Sequence, residues 1–349
     1  MFPGLIEKLQ RRVDLTVEEA AGAMEAIMDG RAQPSQIAGF LVGLAMKGER
    51  PDEIVGLART MRERATRLSR SYEPVFDTCG TGGDGAHTFN VSTVAALVLA
   101  ASGVRVAKHG NRSASSRCGS ADLFEALGVN VAATPAQVER CLDGAGIAFL
   151  FAQVFHPSMK HAAATRRELG VRTAFNLLGP LTNPAGASRQ LVGVPRPELT
   201  ELVARSLAKL GAERAWVVHG ADGLDEISTT GYTKVSECRN GAVNTFYLHP
   251  GDVGIPKSAP AALRGGDAIE NAAISRAILL GQAGGPRDIV LLNAGASLLI
   301  AGQAATIPDG IAMAADAIDS GRAALVLEQL VRLSADASGE GGAANGAPA

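Results

Sequence analysis

A run of glycines limits this chain more than any other feature. Gly80, Gly82, Gly83 and Gly85 follow a short apolar run, Pro74 to Phe76, within Asp77-Thr-Cys-Gly-Thr-Gly-Gly-Asp-Gly85. Lacking Cβ, these residues let the backbone turn sharply and bring its N–H groups close to a ligand. Asn90, Val91, Ser92 and Thr93 then open an apolar helix running to Ala101. Free N–H groups and the positive end of the dipole at such a helix start favour phosphate. A second loop follows, Lys108-His109-Gly-Asn111-Arg112-Ser113-Ala114-Ser115-Ser116, rich in cations and small hydroxyl side chains. Amides from one loop and cations from the other, set on adjacent strand ends, would clamp a polyphosphate. The Gly-Lys-Ser/Thr ending of a P-loop is absent, so a phosphate ligand other than a P-loop nucleotide is implied.

The stretches Gly80 to Asp84, Asn90 to Thr93 and Lys108 to Ser116 closely resemble the signature loops of the anthranilate phosphoribosyltransferase family, and the likeness runs in order from about Leu5 to Leu333. The resemblance implies that the amine of anthranilate attacks C1 of 5-phosphoribosyl 1-diphosphate and displaces diphosphate, with no covalent nucleophile on the protein. Carried over by motif, Gly80, Gly83, Asp84, Thr88, Asn90, Val91, Ser92, Thr93, Lys108, Asn111, Arg112, Ser113, Ala114, Ser115, Ser116 and Ser120 are expected around the phosphoribosyl diphosphate. Gly80, His109, Asn111, Pro157 and Arg166 are expected around anthranilate, Arg166 being suited to its carboxylate. His109 is expected to position the substrate, since an arylamine needs little activation.

Asp225 and Glu226 are adjacent carboxylates following the strand-like Ala215 to His219. Paired hard oxygens with phosphate completing the shell suit Mg²⁺. The family's matching Asp-Glu motif and a matching serine, Ser92, imply two Mg²⁺ ions. Two departures from the family pattern are Ala164-Thr165 before Arg166 and Cys118 in place of a small polar residue. The first touches anthranilate affinity more than the reaction.

Taken in order, residues 1–72 read as helical. Thr16 with Glu19 forms a capping box, Pro34-Ser35 starts a helix through Lys47, and Pro51-Asp52 opens another through Met61. The basic run Arg62 to Arg70 reads as a solvated face and linker. From Pro74, short β-branched runs at 75–77, 104–107, 147–151 and 215–219 alternate with helices, which argues for a mostly parallel sheet covered on both faces, with ligands at the strands' carboxyl ends. The expected fold is α/β: a small helical domain beside a larger domain with helices flanking the central sheet. Residues 155–190 turn helical again, and the resemblance implies that they complete the helical domain. The larger domain then takes 73–154 and 191–334, leaving 335–349 as a disordered tail of small and acidic residues.

Net charge is only −2 and charged residues make up 19% of the chain, so nothing resembles a global field for nucleic acid or an anionic membrane. Four scattered cysteines fit neither a disulfide framework nor a C-x-x-C metal site. Cys79, beside the glycine loop, is open to two readings, a reagent-sensitive thiol or a plain buried one. With no targeting segment or apolar span, a cytoplasmic protein is expected; the resemblance adds a homodimer through the helical domain. A pyrimidine nucleoside phosphorylase of the same architecture would carry Lys-His-Ser in its glycine-rich region, which this chain lacks. A non-catalytic nucleic-acid-binding relative would have lost the glycine loop and gained a basic surface.

Overall fold

The computed structural model describes residues 1–113 and 117–335. The predicted loop residues Ala114, Ser115 and Ser116, and the predicted tail beyond residue 335, lie outside the described residues.

Four helices come first: α1 (Phe2–Gln10), α2 (Val17–Met28), α3 (Pro34–Lys47) and α4 (Pro51–Glu63). The Thr16–Glu19 capping box forms in both directions at the start of α2, and α3 and α4 start on prolines, whose missing N–H costs nothing at a helix's first position. The chain then builds β1 (Phe76–Gly80), α5 (Val91–Ala101), β2 (Val106–Gly110), α6 (Ser120–Ala126), α7 (Pro135–Gly144) and β3 (Ile147–Phe151). Next come α8 (Ala152–Phe155), α9 (Lys160–Leu169), β4 (Arg189–Gly193), α10 (Leu199–Lys209), β5 (Arg214–Gly220), β6 (Thr233–Arg239) and β7 (Ala242–Leu248). Helices α11 (Ala268–Leu279), α12 (Gly285–Ile300), α13 (Ile307–Asp319) and α14 (Arg322–Ala335) close the chain.

The seven strands form one sheet in the order β3-β2-β1-β4-β5-β6-β7. β1 to β5 are parallel, and the β6–β7 hairpin adds an antiparallel edge. A small helical N-terminal unit thus stands beside a larger α/β unit with a mostly parallel sheet. From β1 the chain moves outward through β2 to β3, then returns to lay β4 on the other side of β1. The carboxyl ends of β1 and β4 therefore flank the crevice where strand order reverses, the usual ligand position in such sheets.

Helix α5 is apolar all round, and eight of its eleven residues are buried. A helix of that kind has to be covered on every side. One hydrophobic core surrounds it, spanning β1 to β3 and the C-terminal helices; a second joins α1 to α4 with Ala162, Phe175, Leu178 and Leu181, and continues onto α10 and the other sheet face through Val192 and Val217. The segment 155–190 thus packs against the N-terminal helices.

Two expectations need correcting. Lys108 and His109 lie in β2 rather than in a loop, because pairing of Lys108 with Phe149 and His109 with Leu150 carries the strand on to Gly110. The run from Arg62 is not uniformly solvated: Arg62 donates to the carbonyls of Leu181 (2.6 Å) and Leu210 (3.3 Å), tying α4 to the later segments.

Candidate active site

Two glycines make the site possible. Gly80 ends β1, Gly193 ends β4, and the two are paired in register. A Cβ on Gly193 would lie 1.6 Å from the Asp225 carbonyl oxygen, and one on Gly80 would lie 2.4 Å from Asp225 Oδ2. Asp225 fills the room that both leave, and its Oδ2 accepts from the N–H of Gly82 (3.1 Å). Gly82, Gly83 and Gly85 all have positive φ, between 64° and 81°, so the loop turns as only glycine does without strain. Asp84 stays close enough to Asp225 to raise its pKa.

Glu226 reaches the other way, accepting from the N–H of Ser92 at 3.1 Å in the first turn of α5. The carbonyl of Ser92 accepts from Thr78 Oγ1 (2.9 Å), and Lys108 Nζ donates to the Thr78 carbonyl and to Ser92 Oγ (3.3 Å). Glycine loop, helix start and Asp-Glu pair are therefore joined at one sheet edge. The Asp-Glu segment is itself braced by buried Asn293, which accepts from the N–H of Ile227 (3.0 Å) and donates to its carbonyl (2.9 Å).

Burial and mutual repulsion dominate the electrostatics. Burial, then Asp84, pushes Asp225 up to about 7; burial, then Asp225, pushes Glu226 up to about 8. Burial also lowers Lys108, against the opposing pull of Asp77. Three acids crowded at one loop want a compensating cation, and their hard oxygens fit Mg²⁺. Among the described residues no three His, Cys, Asp or Glu side chains converge as a ready cation cage, so Asp225 and Glu226 would supply part of a shell completed by other oxygens.

Other predicted residues are held by the protein itself. Asn90 donates to the Cys118 carbonyl (3.0 Å) and accepts from buried Asn271 (3.1 Å). Thr88 forms an isolated bridge with Arg264. Arg112 is engaged by Asp122 and Glu125, each at 2.8 Å, while Asp122 also accepts from the N–H groups of Ser113 and Gly119. Ser120 Oγ lies 3.4 Å from the Asn111 carbonyl. Buried Thr93 leaves its hydroxyl without a partner.

A second wall comes from the 155–190 segment. His109 Nδ1 lies 2.9 Å from the Gly179 carbonyl and His156 Nε2 lies 3.1 Å from that of Thr182. A carbonyl only accepts, so those nitrogens carry the protons. Burial lowers the two imidazoles to about 3 and about 4, keeping both neutral near pH 7. Their rings lie 5.1 Å apart, and the remaining nitrogens, His109 Nε2 and His156 Nδ1, are buried acceptors with no partner. Sequence reasoning missed His156, whose only signal was its place before Pro157. Pro157 is exposed at the start of a short 3₁₀ turn, and Arg166 on α9 lies over the ring of Phe175 at 5.4 Å. Cys79 is buried and its thiol is pushed well above its ordinary range, which fits the inert reading.

The family described as "Glycosyl transferase family, a/b domain" matches residues 72–324, and its helical bundle domain matches residues 3–65. Anthranilate phosphoribosyltransferase of Moorella thermoacetica is 56% identical over 331 residues, 95% of this chain and 98% of that one. The crystal structure of anthranilate phosphoribosyltransferase from Thermus thermophilus superimposes with a TM-score of 0.88 at 48% identity, covering 95% of this chain and 99% of that one. The Saccharomyces cerevisiae enzyme in complex with PRPP and Mg gives 0.86 at 27% identity, covering 95% and 97%. The chain belongs to the anthranilate phosphoribosyltransferase family of glycosyl transferases.

Proposed function

We propose that this protein transfers the phosphoribosyl group of 5-phosphoribosyl 1-diphosphate to the amine of anthranilate, giving N-(5-phosphoribosyl)anthranilate and diphosphate, the second step from chorismate to tryptophan. The nitrogen lone pair forms the bond to C1 as the C1–O bond breaks. The C1–O electron pair leaves on the diphosphate, and the proton that the amine gives up passes to a diphosphate oxygen or to solvent. The observation that carries this reading is the convergence of Asp225, Glu226, the glycine loop and the start of α5 at the crevice between β1 and β4.

The donor is assigned to Gly80, Gly83, Asp84, Thr88 and Asn90 to Thr93, with Lys108 holding Ser92 in place, together with Ser116 and with Ser120 at the start of α6. Two Mg²⁺ ions are assigned to Asp225, Glu226 and Ser92; when bound they supply positive charge for the diphosphate oxygens. Anthranilate is assigned to the opposite wall of Gly80, His109, Asn111, Pro157 and Arg166. The two unpartnered imidazole nitrogens are acceptors, as an attacking N–H₂ group requires, and a guanidinium pairs with a carboxylate. The residues' work is positioning and stabilisation of departing charge.

We also divide the chain into a helical domain, 1–72 completed by 155–190, and an α/β domain of 73–154 and 191–334. The family resemblance favours a homodimer through the helical domain. The four free, buried cysteines favour the cytoplasm. Among the described residues no helix is long and apolar enough to cross a membrane.

The test is the loss of anthranilate fluorescence with phosphoribosyl diphosphate and Mg²⁺, each omitted in turn. Loss that needs all components is expected; no loss under any condition overturns the assignment, and phosphorolysis of uridine and thymidine is then assayed.

A further inference from the structure

Of the cations that the described residues bring to the site, Lys108, Arg112 and Arg166 each have a partner. Lys108 is buried against Thr78 and Ser92, Arg112 is held by Asp122 and Glu125, and Arg166 lies on Phe175. Arg172 is different. It follows α9 in the 155–190 segment, yet its guanidinium crosses to the glycine loop, where a Cβ on Gly83 would lie 1.8 Å from Arg172 Nη1. Only a glycine at 83 admits that approach. Among the described residues Arg172 makes no hydrogen bond and no ion pair within 4.0 Å, although Asp225 attracts it through space and Arg196 repels it.

Its base is firmly placed. Thr173 accommodates the next turn, its N–H donating to Asn176 Oδ1 (2.9 Å), and Ala174 and Phe175 are buried in the core that joins this segment to the N-terminal helices. A rigid stem thus carries a solvent-exposed, unpaired planar fork onto the loop facing the Asp-Glu pair. A guanidinium's parallel N–H groups match two phosphate oxygens, and Arg keeps its charge at any working pH. A weakly hydrated cation held over loop amides is set for an anion that the amides alone would not neutralise.

We propose that Arg172 binds the diphosphate of the phosphoribosyl donor at the glycine loop beside Gly83, and takes up charge as that group leaves. The inference rests on the donor site assigned above. The C1–O electron pair ends on a diphosphate oxygen within reach of the guanidinium, so the contact strengthens as the bond breaks. It also joins the helical segment to the α/β unit through the ligand, so a bound donor would draw the two together.

The experiment compares wild type with R172A, R172Q and R172K. Initial rates are measured with each substrate varied, and Mg²⁺-pyrophosphate binding is measured by calorimetry without anthranilate. Loss of a charged hydrogen bond predicts that R172A lowers kcat/KM for the donor by about 10- to 100-fold and weakens pyrophosphate binding by a similar factor. KM for anthranilate should stay within about twofold, and R172K should recover part of the loss where R172Q does not. Unchanged pyrophosphate binding in R172Q overturns the proposal, as does a loss confined to KM for anthranilate. Should R172A fail to fold, the Lys and Gln variants decide on the same readouts. If wild type consumes no anthranilate, the reaction assignment fails, while the pyrophosphate titration still judges Arg172.

Discussion

Asn183 offers a test of the framework beneath the site. It is buried at 4% exposure, and its Nδ2 donates both to Asp77 Oδ2 (2.8 Å) and to the Ala107 carbonyl (2.7 Å), while its Oδ1 accepts from the N–H of Ala185 (2.8 Å). Asp77 is fully buried in β1, and its other oxygen accepts from the N–H of His109 (3.1 Å). One amide therefore joins β1, β2 and the loop that leads to β4. Asn183→Ala strands the Ala107 carbonyl, the Ala185 N–H and half of the Asp77 carboxylate. Buried groups left unpaired cost about 1–3 kcal/mol each, and the effects do not add fully, so a loss on the order of 3–5 kcal/mol is expected above pH 7.

The loss should depend on pH, and the sign follows from Asp77. Burial, opposed by Lys108 and by the Asn183 and His109 donors, pushes its carboxyl up to about 6 from 3.8. A raised acid holds its proton more tightly in the folded state. Its contribution is fully present below about 3.8 and is lost as pH rises through about 6. Removing the Asn183 donor raises the folded value further, at about 1.4 kcal/mol per unit, so the variant falls behind wild type by an additional 1–2 kcal/mol or so between pH 5 and pH 8. Urea unfolding followed by circular dichroism at both pH values reads this difference. In an Asp77→Asn background the pH dependence should vanish. A destabilisation equal at pH 5 and pH 8, or below about 1 kcal/mol at pH 8, would refute the reasoning.

Asp225→Asn with Glu226→Gln should cut turnover by roughly a hundredfold or more, yet without ligands the melting temperature should hold or rise, since two crowded acids have been neutralised; near-normal turnover at saturating Mg²⁺ sinks the metal assignment. Gly193→Ala places a Cβ 1.6 Å from the Asp225 carbonyl; the displaced Asp-Glu segment should lower kcat/KM for the donor at least about tenfold, and wild-type kinetics would show that the segment moves freely. Arg166→Ala should weaken anthranilate binding more than donor binding, and equal losses in titrations with each ligand would count against its role.

The parts of the site that the sequence reveals are those written in consecutive residues. A glycine loop after an apolar run, Asn90 to Thr93 before an apolar helix, and Asp225 beside Glu226 each state their chemistry locally. Strand β4, Arg189–Gly193, has five residues and no long apolar run to mark it, and the β6–β7 edge pairs antiparallel beyond an otherwise parallel alternation. Arg62 reads as solvent-facing because its neighbours Arg64, Arg67 and Arg70 are exposed, although its own partners are carbonyls at Leu181 and Leu210. Long-range partnership of this kind leaves no periodic trace. The same limit applies at the centre of the site. Gly80 announces itself through the glycines that follow it, whereas Gly193 stands alone in the sequence, and only the pairing of β1 with β4 sets it beside Gly80. Asp225 needs both: one glycine clears its side chain and the other its backbone, so a motif legible in one strand depends on a residue in another that no motif marks.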